Sequence, residues 1–419
     1  MTARATRQRA RRHVRRGRVV AFVALLLTAC QGGGTPPPPP VSFPPSPPHA
    51  ASPIDGYVHT SGTEFIDDGA KVVQLRGVNE PAMVRGSGRS LTVGGDACGE
   101  GWAVPPTSEW DAIAAAGFNS VRLAVSWANL EPAPPTADGS GGLIHQWNQP
   151  YLAGLDEIVS ELAQRHLAVI LDMHQEKWSP AVKSPTLPGA MRCEGAGMPV
   201  WLYPTTVEGN LGANVLQCEF YQRTAAPGLP ETPQDGFAAA WSFLAGRYAG
   251  NSAVVGADIL NEPAPHNTCT VEQLDLTAFY DLVGSALHSA NPKLLVICED
   301  NLYSSYVSVG FAMIAPPDVP NWVYSWHLYP SDWATGGPAL QAHVDRARAW
   351  NVPLYIGEFN PMVGAGGGVP ADWQAIFSQS MQFFTQNQLS WAFWNYGSLF
   401  VRPPLPDRLV LLKGLQAGL

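Results

Sequence analysis

Glu262 and Glu358 stand in matching contexts. The first closes Val254-Val255-Gly256-Ala257-Asp258-Ile259-Leu260-Asn261-Glu262-Pro263, a β-branched, mostly apolar run that Pro263 stops just after an Asn-Glu pair. The second stands at the end of Pro353-Leu354-Tyr355-Ile356-Gly357-Glu358, again an apolar strand. A carboxylate is costly to keep where a buried strand runs out, unless it is used. Two that meet across one opening, as proton donor and nucleophile, are the minimum equipment for cleaving a glycosidic bond. Cleavage with retention of configuration asks for carboxyl groups about 5–5.5 Å apart.

The elements that must hold such a pair are legible as eight short apolar runs: Val73–Asn79, Ser120–Trp127, Ala168–His174, Val254–Glu262, Leu294–Asp300, Trp322–Tyr329, Pro353–Glu358 and Ser390–Tyr396. Helical periods fill the gaps. Leu152, Leu155, Ile158, Val159 and Leu162 form one stripe, and Trp373, Ile376, Phe377, Met381 and Phe384 form another. Ahead of them, Glu64-Phe65-Ile66 and Lys71-Val72-Val73 around Asp67-Asp68-Gly69 predict a hairpin. The pattern predicts an α/β fold, a (β/α)8 TIM barrel with the N-terminal β-hairpin closing one end. No Gly-rich phosphate loop follows the first strand, which speaks against a dinucleotide fold.

In a barrel of this kind the chemistry sits where the strands end at their C-terminal side. Those positions carry Asn79, Arg122 with Trp127, Asp172 with His174, Asn261 with Glu262, Glu299 with Asp300, His327 with Tyr329, Glu358, and Trp394 with Tyr396. Strand parity turns His327 and Tyr329 one way and Trp326 and Leu328 the other, towards the helices.

Over roughly residues 55–400 this set resembles glycoside hydrolase family 5, the cellulase-type barrel family. The residues that carry the likeness are Arg122, His174, Asn261 with Glu262, His327 with Tyr329, Glu358 and Trp394. The resemblance implies a retaining mechanism, with Glu358 as nucleophile and Glu262 as acid and then base. The negative charge on Glu358 is expected to raise the pKa of Glu262. Arg122 and Tyr329 are implied to hold the nucleophile, Asn261 to meet the sugar 2-hydroxyl, His174 and His327 to hydrogen-bond around the reacting sugar, and Trp394 to give it an apolar platform. Asn79-Glu80-Pro81 repeats the Asn-Glu-Pro tripeptide after the first strand, and Glu80 there reads as a decoy. Arg76 and Asp258 read as structural. No metal or organic cofactor is expected.

Composition bounds the partners. The net charge of −9 conceals an asymmetry, because the first 29 residues carry eight Arg and no acid. The remainder holds seventeen basic residues against thirty-four acidic ones, net −17, which argues against nucleic acid and anionic lipid and fits a neutral sugar. The Arg-rich start and the apolar run Val19–Ala29 predict a signal peptide over residues 1–29. Leu27-Thr28-Ala29-Cys30 resembles a bacterial lipobox, with Cys30 as the lipidated residue. Residues 30–53 then read as a Pro/Gly-rich disordered linker, and 54–419 as the catalytic domain. The expected location is extracellular or on the cell envelope, with membrane contact only through the lipid anchor, and the expected state a monomer. Of the five remaining cysteines, Cys298 lies in a strand and is expected free, while Cys193 and Cys218 share one long segment and are the expected bridge.

That segment, Gln175 to about Pro233, is long for a barrel loop and carries Trp178, Trp201, Tyr203 and Tyr221. It reads as a wall of the cleft or as a packed surface excursion. The leading substrate expectation is a β-linked glucan or mannan, cleaved within the chain. Leu171-Asp172-Met173-His174-Gln175, Ser126-Trp127 and Glu131-Pro132 also resemble the endoglycoceramidase branch, which makes a glycolipid the alternative. Against it, the chain ends at Leu419, short of the C-terminal β-sandwich expected of that branch. A catalytically silent anchored sugar-binding protein is the remaining alternative.

Overall fold

The computed structural model describes residues 54–84, 101–183, 195–223, 228–264, 276–300, 313–363, 368–401 and 403–418. The expected leader, Cys30 and the linker lie outside these, as do Cys98, Cys193 and Cys269.

Eight parallel strands close on themselves in sequence order: β1 (Arg76–Glu80), β2 (Ser120–Val125), β3 (Ala168–Met173), β4 (Val254–Asp258), β5 (Leu295–Glu299), β6 (Trp322–Leu328), β7 (Leu354–Phe359) and β8 (Ser390–Phe393). Closure runs from β8 to β1, with Trp391 paired to Arg76 and Phe393 to Val78. The chain is a (β/α)8 barrel, as the alternation of strand and helix runs predicts.

Several strand bounds differ from the sequence expectation, β4 stopping at Asp258 rather than Glu262 and β8 at Phe393 rather than Tyr396, and two of the differences have a local reason. The second strand stops at Val125 rather than Trp127, because the Ser126 hydroxyl accepts the Asn129 N–H at 3.2 Å and starts the helical turn Trp127–Leu130. Val73 belongs to a separate sheet rather than to β1. That sheet has three strands and is more than the expected hairpin: Val58–Ser61 pairs antiparallel with Glu64–Asp67, which pairs with Val72–Val73. The additional strand, Val-His-Thr-Ser, lacks the alternation that announces a strand. Val58, Phe65 and Val73 pack into one apolar cluster with Ile170, Val255, Leu295, Ile297 and Tyr355 from inside the barrel, and so seal its N-terminal end.

The helices turn the predicted stripes inward. Leu152, Leu155, Ile158, Val159 and Leu162 are buried on Gln149–Gln164, whose first turn is capped by the Asn148 side chain. Trp373, Ile376, Phe377, Met381 and Phe384 are buried on Trp373–Gln386. Trp326 faces the helix layer, stacked on His343 at 4.2 Å. Cys298 is buried and free, and Cys218 is in a disulfide; the expected partner Cys193 lies outside the described residues. Among the described residues no helix is long and apolar enough to cross a membrane.

Candidate active site

Each strand carries its polar group to the C-terminal end of the barrel. Asn79, Arg122, Asp172, Asp258, Glu299, His327 and Glu358 lie on strands β1 to β7 in that order, and Trp394 directly follows β8. His174, Asn261, Glu262 and Tyr329 stand just past the ends of β3, β4 and β6.

Arg122 is fully buried and ties the barrel floor together. Its Nε donates to Asp258 Oδ2 at 2.9 Å, and its Nη2 lies 3.0 Å from both Asp172 Oδ1 and Asn261 Oδ1. Its Nη1 donates to Asn79 Oδ1 at 3.0 Å and to Glu358 Oε1 at 2.9 Å. Burial works against the guanidinium, but the surrounding Asp172, Asp258 and Glu358 overcome it and hold its pKa well above the ordinary value. Removing one partner from such a buried set leaves an uncompensated charge, at a cost of about 3–5 kcal/mol.

Glu358 is gripped at both oxygens. Arg122 takes Oε1, and the Tyr329 hydroxyl donates to Oε2 at 2.6 Å. Burial, with the charge of Glu358 beside it, pushes the Tyr329 phenol well up, so it stays a proton donor. Asn79 completes the support: its amide nitrogen donates to Gly357 O at 3.0 Å and to Phe393 O at 3.4 Å, pinning the backbone just before Glu358.

Glu262 is placed differently. It keeps 26% of its side chain exposed, against 4% for Glu358. Its φ of 45° is in the left-handed region, which costs a residue with a Cβ about 1–2 kcal/mol. Its Oε1 lies 3.0 Å from Nδ1 of His327, and the same ring nitrogen is 3.6 Å from Glu358 Oε2. One carboxylate oxygen of Glu262, one of Glu358 and a ring nitrogen of His327 all lie within 4.8 Å of one another. That separation falls short of the 6.5–9.5 Å between the carboxyl groups of an inverting site.

The electrostatics correct one expectation. Burial is the first cause of the raised pKa of Glu262, with Asp172 adding to it while His174 and Arg122 oppose; the charge of Glu358 is not the main lever. Burial also raises Glu358, against the positive charge of Arg122 and His174. The two histidines diverge. Burial opposes a charge on His174, but Asp172, 2.8 Å from its Nδ1, wins and takes its pKa to about 9. Burial takes His327 down to about 3, so this ring is neutral. His174 stacks on Trp394 at 5.3 Å and 7°.

The structure thus brings Asn79, Arg122, His174, Asn261, Glu262, His327, Tyr329, Glu358 and Trp394 to one place. Glu80, the last residue of β1, turns its Oε1 to the Ala82 N–H two residues on. Asp258, read as structural, sits in direct contact with Arg122, its pKa raised to about 7 chiefly by burial. Two residues gained no role from the sequence. Gln175 donates to the backbone carbonyls of Asn261 and Glu262 at 3.0 and 3.1 Å. Glu299 accepts the Glu262 N–H at 2.8 Å. Both had a signal, as polar residues where apolar strands end.

Among the described residues of the long segment after Gln175, rings pack inward and one side chain holds the backbone beside Glu262. Trp178 and Tyr203 are buried, and Trp201 packs edge-on to Trp127 at 5.6 Å. Gln217, on helix Gly209–Tyr221, accepts the Ala264 N–H at 3.0 Å just past Glu262. Gly197 has φ of 106° and no room for a Cβ, which would meet His174 O at 2.3 Å. Among the described residues, Glu262, His327 and Glu358 are the group compact enough to hold a cation. The Arg122 guanidinium already supplies the countercharge to Glu358 there.

Residues 84–399 match the model of the cellulase family, glycosyl hydrolase family 5. An endoglycoceramidase I of Rhodococcus hoagii (strain 103S) is 25% identical over 386 residues, covering 81% of this chain and 68% of that protein. An endoglucanase of Paenibacillus polymyxa is 24% identical over 259 residues, covering 59% of this chain and 51% of that protein, so the chain spans about half its length. A crystal structure of an endogalactoceramidase superposes with a TM-score of 0.67 at 22% identity, over 86% of this chain and 84% of that one, and so shares the fold. With three quarters of its length under one family model and a closed eight-stranded barrel to match, the chain belongs to glycosyl hydrolase family 5 and is a glycosidase of that family.

Proposed function

We propose that this glycosidase works by double displacement with retention, Glu358 as nucleophile and Glu262 as acid/base. The observation that carries the reading is the unequal treatment of the two carboxyls. Glu358 is buried and held by a cation at one oxygen and a phenol at the other, which keeps it ionised and aimed. Glu262 is the more accessible and lies beside a neutral imidazole, where it can carry a proton to a departing oxygen and later take one from water. Arg122 and Tyr329 also disperse the charge that returns to Glu358 as the covalent intermediate breaks. Asn261 meets the sugar 2-hydroxyl, His174 hydrogen-bonds the sugar, and Trp394, backed by the His174 ring, is its platform.

The substrate we place among glycolipids carrying a β-linked sugar. The endoglycoceramidase relative aligns with more of this chain than the endoglucanase does, and Leu171-Asp172-Met173-His174-Gln175 resembles that branch. The endoglucanase match supports a second reading, a β-glucan or mannan. The complete set of partners around both carboxyls speaks against a silent sugar-binding protein. Incubation with a glycosphingolipid in detergent micelles, carboxymethylcellulose, mannan and β-1,3-glucan tests the choice. Release of the intact oligosaccharide from the glycolipid is the expected result; release from a polysaccharide alone moves the assignment to the second reading. A product that appears first as the α-anomer by NMR ends the retaining account.

Export belongs to the same proposal. Its supports are the Arg-rich start, the apolar run and Cys30, together with the disulfide at Cys218, a bond of oxidising compartments. Cys30→Ala should move the protein from the membrane fraction to the soluble one; unchanged membrane association would remove the lipid anchor.

A further inference from the structure

Glu299 ends β5 with its side chain 1% exposed, and its two oxygens face two neighbours, Glu262 and His327. Oε2 accepts the backbone N–H of Glu262 at 2.8 Å. Oε1 lies 3.3 Å from Nε2 of His327, whose other nitrogen is 3.0 Å from the Glu262 carboxyl. The three residues close a ring that touches Glu262 at its left-handed backbone and again at its functional group.

We propose, resting on the reading of Glu262 as the acid/base, that Glu299 is its positioning residue: it holds the left-handed backbone of Glu262 and, through His327, fixes the direction of its carboxyl. The proton pattern follows from burial. Burial first, then the charges of Asp258 and Glu262, lift the Glu299 carboxyl well above the usual carboxylate range, with Arg122 opposing. A neutral acid has one acceptor and one donor. Its carbonyl accepts the Glu262 N–H, and its hydroxyl, 3.3 Å from Nε2 of the neutral His327 ring, needs only a small turn to donate there. The ring proton is then left on Nδ1, directed at Glu262. A donor in that place serves Glu262 in both of its states, bonding the carbonyl oxygen of the acid and the carboxylate of the base.

The chemistry of the side chain supplies the test. Glutamine reproduces the acceptor and donor of a protonated glutamate, whereas methionine fills a similar volume with neither. Wild type, Glu299→Gln and Glu299→Met are compared on aryl β-glycosides of graded leaving-group pKa. Glu299→Gln should stay within about threefold of wild type across the series. Glu299→Met should lose about a hundredfold in kcat/KM on poorly departing phenols and less than about tenfold on a dinitrophenyl glycoside, which leaves without a proton. An equal loss for every leaving group, or a Gln variant as impaired as Met, overturns the proposal while the glycosidase reading stands. Wild-type inactivity on the whole series overturns both. Should circular dichroism show Glu299→Met unfolded, Glu299→Asp takes its place, because the shorter side chain withdraws the carboxyl from His327; the same leaving-group pattern is expected, and its absence counts against the proposal.

Discussion

The Tyr329 hydroxyl donates to Glu358 Oε2 at 2.6 Å, on the oxygen that Arg122 does not hold. A hydrogen bond to a charged group is worth about 1.5–3 kcal/mol, or roughly 10–100-fold in rate if it steers attack. Tyr329→Phe should lower kcat by about that factor with the fold intact. Steady-state kinetics beside a thermal melt check it, and unchanged kcat would mean that Arg122 alone positions the carboxylate.

The two glutamates should fail in different ways. Glu358→Gln removes the nucleophile and should abolish turnover on every substrate. Glu262→Ala should cost about 10²–10⁴-fold on substrates that need a proton, and much less in forming the intermediate from a dinitrophenyl glycoside. Added azide should then restore turnover of that substrate and give a glycosyl azide. Equal losses in both variants with no azide product would reverse or void the assignment.

His174 makes stability depend on pH. Its pKa is about 9 in the folded chain against an ordinary value of 6.5, so its pairing with Asp172 stabilises fully below pH 6.5. That contribution fades as pH rises through 9, and the shift sets a ceiling of about 3 kcal/mol. The melting temperature should therefore fall between pH 6.5 and 9 in wild type, and the slope should flatten in His174→Phe. Parallel curves for the two proteins would show that the pair contributes nothing over this range.

Gly357 is the position where His327 admits no side chain. A Cβ there would come within 2.8 Å of His327 Nε2 and 3.1 Å of Ser325 Oγ. Gly357→Ala should push the ring off Glu299 and Glu262 and reduce kcat by about tenfold or more, with KM little changed. A crystal structure of the variant with His327 in place, or unaltered kcat, would refute this.

The sequence by itself determined the barrel and most of the rim of its opening. Apolar β-branched runs are local signals, and a polar residue at the end of each, such as Arg122, His327 or Glu358, needs no partner in view to stand out. Val58–Ser61 was not legible because a short edge strand of His, Thr and Ser has no alternation to read. Only the tertiary structure decided which groups meet. Arg122 joins residues up to 236 positions away, and no spacing in the chain encodes that Asp258 and Glu358 share its guanidinium. The same holds for charge. His174 and His327 look alike as letters, yet one is raised to about 9 and the other lowered to about 3, because Asp172 outweighs burial at His174 while at His327 burial prevails over the charge of Glu358, with Arg122 on its side. Glu299, a polar strand end like the others, found its part only when folding laid it against the backbone of Glu262.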